Sequence, residues 1–320
     1  MPNVKLLGRT KESVLSTVDV FSEVIQLPDP YLQAQFAGLV GLDDLKIQLV
    51  KEGQLLLQPE LLDQWCQKAH GSVLPIVKKF HNRPPLIIFS GDVGTGKTTL
   101  ANSFGDVIAR SNKIPVQLMR LSLNARGSGA VGEMTKLISH AFAEVKRTVQ
   151  DEATGGKKKT ATIMIIDEAD ALAQSRENDQ MHHEDRAGVN AIIRGIDELT
   201  GKRLPVIIIM CTNRADAMDP AIMRRAASRH IFSRPNKEQR ANLLCNAFEG
   251  IVNKSHADLL SDLTGPAEGR TYGYTYSDFT QRLFPSVILD AFPDGVITLD
   301  LIKKCISKVI PTKPFNEEQT

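Results

Sequence analysis

A glycine-rich turn at residues 91–98 has the residue types and spacing needed to hold a phosphate group. It reads Gly-Asp-Val-Gly-Thr-Gly-Lys-Thr, which matches the pattern G-x-x-x-x-G-K-[ST]. Glycines let the backbone approach phosphate oxygens, so that successive N–H groups and a helix N-terminus face the anion. Lys97 would contact the β- and γ-phosphates, and Thr98 would be a ligand of Mg²⁺. The predicted ATP-binding residues here are Gly91, Asp92, Val93, Gly94, Thr95, Gly96, Lys97, Thr98 and Thr99.

Two adjacent acids follow an apolar run further along the chain. Residues 163–166 are Ile-Met-Ile-Ile, and Asp167 and Glu168 come next. At the end of a buried strand, Asp167 would hold Mg²⁺ through a water molecule, and Glu168 would orient and deprotonate the attacking water. Because ligands of α/β sheets bind at the carboxyl ends of the strands, we expect two neighbouring strand ends to place Lys97 and these acids around one triphosphate.

The elements that must position these residues follow an alternating pattern of strands and helices. Strands are predicted at 86–90, 115–121, 162–166, 206–211 and 229–232, and helices at 97–110, 133–149 and 186–199. Repeated strand–helix units predict a parallel sheet with helices on both faces. Beyond Pro235 the patterns are mainly helical, at 237–248, 277–292 and 299–309. The predicted fold class is therefore α/β, a P-loop NTPase core followed by a small helical lid.

Three parts of the chain are predicted from these patterns. Residues 1–35 are a lead-in segment of uncertain structure, interrupted by Pro28 and Pro30. Residues 36–235 are predicted to form the large nucleotide-binding domain, which opens with a helix that has Asp43 or Asp44 in its first turn. Residues 236–320 are predicted to form the lid domain.

Composition limits the partners and the compartment. The 39 Lys and Arg residues nearly balance 37 Asp and Glu residues, for a net charge of +2, whereas nucleic-acid-binding domains carry clustered basic charge. The run Lys157–Lys159 is interpreted as part of a solvated loop. No signal peptide or membrane-spanning run is evident, and four scattered cysteines are typical of reduced thiols. We expect a cytoplasmic protein with no membrane partner and no nucleic-acid partner.

At this point the sequence resembles the AAA+ ATPases over about residues 36–292. The strand 206–213 looks like their sensor strand, which ends in the polar residue Asn213, and 219–225 looks like the segment that carries an arginine finger. The resemblance implies that Asn213 senses the γ-phosphate and that Arg225 or Arg224, with Arg225 favoured, acts on a neighbouring subunit. A finger acting in trans implies a homo-oligomeric ring, a hexamer in this family.

The resemblance also implies how the base of the nucleotide is bound. Residues 38–42 resemble the segment that packs on adenine, which makes Val40 and Gly41 further candidates for ATP binding. The implied cofactors are ATP and Mg²⁺.

A narrower resemblance concerns the pachytene-checkpoint remodellers, AAA+ enzymes that partly unfold HORMA-domain signalling proteins. Residues 213–226 look, without gaps, like their sensor-to-finger stretch, and 136–142 and 189–197 are also similar. The short chain resembles bacterial members found beside antiphage signalling systems, which implies a HORMA-domain protein as substrate. The alternatives are a nucleic-acid motor or switch, a remodeller of another protein, and a nucleotide-bound scaffold without turnover.

The sequence departs from the family pattern in two places. Unfolding members offer an aromatic residue in the pore loop, but the corresponding residues here are Ala130, Val131 and Gly132. We therefore expect contact with the substrate through small apolar side chains and backbone, without a bulky ring. Ser277 and Asp278 stand where a lid arginine would be expected, and no γ-phosphate contact is assigned to Arg270 or Arg282.

Overall fold

The structure, a computed structural model, describes residues 20–122, 133–154, 160–172 and 183–315. The predicted pore loop, Ala130 to Gly132, and the basic run at 157–159 lie outside the described residues. The strands are β1 (Phe21–Leu27), β2 (Leu86–Gly91), β3 (Val116–Leu121), β4 (Ala161–Ile166), β5 (Val206–Thr212) and β6 (Ser228–Phe232).

Twelve α-helices accompany these strands in the described ranges. The helices that precede β6 in the chain are α1 (Pro30–Gly38), α2 (Asp43–Leu57), α3 (Glu60–His70), α4 (Pro75–His81), α5 (Lys97–Asn112), α6 (Glu133–Thr154), α7 (His183–Leu199) and α8 (Pro220–Met223). The helices that follow β6 are α9 (Lys237–Ala247), α10 (Lys254–Leu263), α11 (Phe284–Ala291) and α12 (Leu299–Lys308). None of the helices described is long and apolar enough to cross a membrane.

The six strands form one mixed sheet in the order β1-β3-β4-β5-β2-β6. Five strands run parallel, as predicted, and β1 pairs antiparallel with β3 at the edge. The strand that carries the phosphate turn, β2, does not neighbour the strand that carries the acids, β4. The expectation of neighbouring strand ends was therefore wrong, because β5 lies between them and pairs with both.

The central strands are buried on both faces, which explains their unbroken apolar sequences. On one face, α6 and α7 pack through residues such as Phe142 and Ile196. On the other, α2 and α5 pack through Leu49 and Phe104. Helices on both faces fix the direction of the strands, so that β2, β4 and β5 all end at the same edge of the sheet.

The helices after β6 enclose a separate apolar core that includes Phe248, Phe279 and Ile302. The helix predicted at 277–292 is a π-helical turn, Asp278–Leu283, followed directly by α11. Sequence patterns missed α10 altogether. The domain boundaries after residues 35 and 235 remain predictions.

The lead-in segment has a definite structure from residue 20 onward. The strand β1 extends the sheet, and α1 begins after Asp29, whose side chain accepts a hydrogen bond from the Leu32 N–H at 3.0 Å. The Asp29 N–H donates to Asp106 on α5 at 2.6 Å. Residues 20–35 therefore pack against the sheet and α5, which no local pattern indicated.

Candidate functional site

A cleft of about 570 Å³ opens between the carboxyl edge of the sheet and the helices that follow β6. Its volume is within the range of small-molecule sites, ~300–1,000 Å³. The residues that line it from the sheet side are Gln35, Gly38, Leu39, Val40, Val93, Gly94, Thr95, Gly96, Lys97, Thr98, Thr99, Asp167, Glu168, Cys211, Thr212 and Asn213. Those from the lid side are Leu243, Tyr276, Ser277, Thr280 and Gln281. Most of the predicted ATP-binding residues thus face one space.

The phosphate loop between β2 and α5 needs glycine for two different reasons. Gly91 lies so close to β6 that an added Cβ would come within 2.0 Å of the Phe232 carbonyl oxygen. Gly96, directly before α5, has a left-handed backbone with φ of 95°, a conformation that other residues rarely adopt. Together these glycines leave a backbone concavity above the N-terminus of α5, as phosphate binding requires.

Lys97, the first residue of α5, is buried within this loop. Its Nζ donates to the carbonyl oxygens of Gly91 at 2.9 Å and Asp92 at 2.6 Å. Burial lowers the pKa of Lys97, and nearby acids such as Asp167 oppose that effect. An ammonium group has three donors, so two loop contacts leave one N–H for a phosphate oxygen.

The two acids after β4 meet the first turn of α5. The Thr98 hydroxyl donates to Asp167 Oδ1 at 3.3 Å, and the Glu168 N–H donates to the same oxygen at 3.0 Å. Glu168 is exposed and has a φ of +48°. A left-handed backbone at a non-glycine residue costs roughly 1–3 kcal/mol, so the surrounding structure must hold Glu168 in this conformation. The side chains expected to hold the metal ion and activate water therefore lie together, despite the strand between them.

The tip of β5 is joined to this group of residues by hydrogen bonds that the sequence did not suggest. The Thr212 hydroxyl donates to Asp170 Oδ1 at 2.8 Å and accepts from the Arg214 N–H at 2.9 Å. Asp170 lies in the turn that follows Glu168, and Asn213 lies between the two hydrogen-bonded residues of the tip. The only signal in the sequence was a third acid shortly after the first two.

The predicted adenine segment lies where the sheet side meets the lid. Val40 lines the cleft, whereas Gly41 lies behind it and its carbonyl accepts from Gln239 Nε2 on α9 at 2.6 Å. A Cβ on Gly41 would come within 2.7 Å of the Tyr276 hydroxyl. Burial raises the pKa of Tyr276 to about 12. Gln239 and Tyr276 were not predicted.

Neither candidate arginine finger lines the cleft of its own chain. Arg225 is held by Asp197, with Nε to Oδ1 at 2.7 Å and Nη2 to Oδ2 at 2.9 Å. Hydrogen bonding to Asp197 raises the pKa of Arg225. Arg224 is exposed.

In the described part of the lid, no arginine lines the cleft. Arg270 donates to the Gly265 carbonyl at 2.6 Å, and Arg282 donates to the Ile310 carbonyl at 3.1 Å. Among the residues described, the lid side of the cleft carries only apolar, hydroxyl and amide side chains.

The oxygen donors of the cleft fit Mg²⁺ better than a metal held by protein alone. Where the structure describes the chain, no group of three or more His, Cys, Asp or Glu residues could hold a metal ion. Mg²⁺ commonly takes one or two protein oxygens and completes its shell with waters and phosphates. Thr98 and Asp167, in contact with each other beside the phosphate loop, fit that pattern.

Comparison with known proteins identifies the family to which the chain is similar. Residues 87–235 match the model of the family described as ATPase family associated with various cellular activities (AAA). The chain is 46% identical over 303 residues to CD-NTase-associated protein 6 of Escherichia coli (strain MS 115-1), covering 94% of this chain and 97% of that protein.

Two solved structures are similar to the chain in both sequence and fold. A chain from the structure of the E. coli MS115-1 HORMA:CdnC:Trip13 complex is 46% identical and aligns with a TM-score of 0.86 over 94% of this chain and 99% of that chain. Trip13 from Rhizobiales is 39% identical, with a TM-score of 0.73 over 92% of this chain and 100% of its own.

Proposed function

The chain belongs to the AAA ATPases, in the group of CD-NTase-associated protein 6 and Trip13, and on that premise we propose that it is a Mg²⁺-ATP-dependent motor that remodels HORMA-domain proteins. ATPase activity follows from the family itself. The observation that carries the proposal is similarity over 94% of the chain both to CD-NTase-associated protein 6 and to a chain solved in a HORMA:CdnC:Trip13 complex. The remodelling, the ring and the substrate are the proposed parts.

The chemistry that we propose for each residue is the one that its motif implies, and the presence of these residues around one cleft supports it. Lys97 holds the phosphates, and Thr98 and Asp167 hold Mg²⁺, Asp167 through water. The metal ion, when bound, neutralises charge on the β- and γ-phosphates. Glu168 orients and deprotonates the attacking water, and Asn213 contacts the γ-phosphate and helps to place that water.

The finger is proposed to act between subunits. Because Arg224 and Arg225 lie outside their own cleft, either can serve only the cleft of a neighbour, and we favour Arg225. Its ion pair with Asp197 is half exposed, and such a pair is weak enough to exchange for a phosphate. A finger in trans requires a closed assembly, for which we propose a hexamer of this chain.

The substrate is proposed to be a HORMA-domain protein in an antiphage signalling system of the cytoplasm. The relatives' names refer to a CD-NTase and to HORMA. The four cysteines of the chain are all free thiols, as is usual in a reducing compartment. Contact with the substrate is proposed at Ala130, Val131 and Gly132, through small side chains and backbone.

An ATP-locked capture experiment tests the proposal. We expect Glu168→Gln to bind ATP without hydrolysing it and to retain a HORMA-domain protein from extracts of its host, identified by mass spectrometry. Lys97→Ala, which cannot hold phosphates, is the matched control and should retain none. Native mass spectrometry of the same sample should show hexamers with ATP. Capture of nucleic acid instead, or monomers at saturating ATP, would contradict the proposal.

A further inference from the structure

The phosphate loop contains an acid, Asp92, in a position where a negative charge opposes phosphate binding. The loop compensates with a cation from a distant part of the chain. Arg234 Nε donates to Asp92 Oδ2 at 2.6 Å, and Arg234 Nη2 also lies 2.6 Å from that oxygen. The two side chains are only 13% and 18% exposed, so this pair is screened less than one at the surface.

Arg234 also reaches the lid. It lies between β6 and α9, in the segment that joins the sheet to the lid helices. Its Nη1 donates to the Gly273 carbonyl at 2.7 Å, and its guanidinium lies 4.9 Å from the centre of the Tyr272 ring. One side chain therefore joins the phosphate loop, the connection between domains and the lid.

A second contact between loop and lid lies beside the first. The Ser277 N–H donates to the Gly94 carbonyl at 3.1 Å. A Cβ on Gly94 would come within 2.8 Å of the Thr275 hydroxyl, so the lid packs directly on the loop backbone. Ser277, which carries this N–H, lies four residues after Gly273 at the start of the helical turn, so a shift at Gly273 would be transmitted to it.

The Asp92 carboxylate has two further partners. Its Oδ1 accepts from the N–H of Val93 at 2.8 Å and from the N–H of Phe315 at 3.3 Å. Phe315 ends the described part of the segment after α12, and its ring lies 5.7 Å from the guanidinium of Arg214, next to Asn213. Asp92 is thus contacted by two distant segments of the chain, at Arg234 and Phe315, and by the neighbouring residue of its own loop.

We propose that Asp92 and Arg234 are positioning residues that fix the lid on the phosphate loop, so that filling of the loop and the orientation of the lid are coupled. The arginine has two separable tasks. Its charge offsets Asp92 when phosphates add negative charge nearby, and its planar fork bridges Asp92 to Gly273. Lysine can perform the first task but not the second, because it is a single point charge on a flexible stem.

The test measures both tasks in the same variants of the full chain. Affinity for a fluorescent ATP analogue measures charge compensation. Amide hydrogen exchange of the peptide at 272–277, which contains the Ser277 N–H, measures attachment of the lid. Neither measurement needs a protein substrate. The inference depends only on ATP binding, so failure of the remodelling proposal would leave it standing.

Three variants separate the tasks. Arg234→Lys is expected to keep its nucleotide affinity within a factor of about three while the lid peptide exchanges roughly tenfold faster. Arg234→Gln should lose roughly tenfold in affinity as well, because Asp92 is left uncompensated. The double variant Asp92→Asn with Arg234→Gln should regain the nucleotide affinity of the unmodified chain, whereas its lid peptide should still exchange fast. Arg203→Gln, which removes an exposed arginine paired with Asp63, is the matched control and should change neither.

The proposal would be overturned if the peptide at 272–277 exchanged as slowly in Arg234→Lys, or in the double variant, as in the unmodified chain. Arg234 would then serve only to neutralise Asp92. If Arg234→Gln fails to fold, the comparison of Arg234→Lys with the unmodified chain decides the question alone.

Discussion

Removal of one hydroxyl at the tip of β5 should reveal whether the sensor residue must be held in place. Thr212 is 1% exposed, and its hydroxyl makes two hydrogen bonds, one to the Asp170 carboxylate and one from the Arg214 N–H. Thr212→Val keeps the shape of the side chain and removes both. A hydrogen bond to a charged group contributes ~1.5–3 kcal/mol, and leaving a partner unsatisfied adds to that cost. We expect the free energy of unfolding to fall by ~2 kcal/mol.

The same change should slow hydrolysis beyond its effect on stability. Asn213 lies between the two bonded residues, and Asp170 is in the turn that follows Glu168. Without the hydrogen bond between Thr212 and Asp170, the side chains of Asn213 and Glu168 would no longer be held in position. We therefore expect kcat to fall about tenfold, equivalent to ~1.4 kcal/mol. The KM for ATP should change little, because the phosphate loop is untouched. Urea unfolding and steady-state phosphate release measure the two effects.

Thr162→Val provides the matched control on the neighbouring strand β4. Thr162 is equally buried, but no hydrogen-bond partner for its hydroxyl exists within the described residues. Its replacement should therefore leave both stability and kcat nearly unchanged. Thr212→Ser, which keeps the hydroxyl, should restore most of the lost kcat. If Thr212→Val and Thr162→Val behave alike in both assays, the connection between Asp170 and the β5 tip has no role in catalysis.

Three other predictions concern the base, the finger and a buried acid. Glu168→Gln should bind ATP normally but hydrolyse it about 10²–10⁴-fold more slowly; normal phosphate release would remove the assignment of the base. Arg225→Ala should lower hydrolysis by about 10³–10⁵ with ATP binding retained, and a loss in Arg224→Ala instead would move the finger to that residue. Burial would raise the pKa of Glu52, but a hydrogen bond with His230 and other partners lowers it. Its contribution to stability is therefore present above its unfolded pKa, ~4.3, and is lost as pH falls through the folded value. Glu52→Gln should remove that part of the acid dependence in unfolding titrations, and an unchanged profile would refute it.

Local features of the chain could be predicted from sequence because they depend on residues close together along it. The apolar runs of β2, β4 and β5 indicated strands buried on both faces, and the structure has them within a residue or two of the predicted bounds. The phosphate turn was recognisable for the same reason, since glycine, lysine and hydroxyl must occur at set spacings. The roles of Glu168, Asn213 and the two arginines remain predictions.

Partners distant in the chain could not be predicted, because no local periodicity specifies where the chain returns. Placement of β5 between β2 and β4 depends on how the helices pack on both faces, and the antiparallel pairing of β1 depends on an edge that exists only in the folded sheet. Asp92 looked like an ordinary residue of the phosphate loop until the fold placed Arg234 beside it. The residues that can do the chemistry are recognisable from their types and spacing in the chain. Folding selects the distant side chains that hold them in position, since a hydrogen bond requires two groups within about 3 Å whatever their separation along the chain.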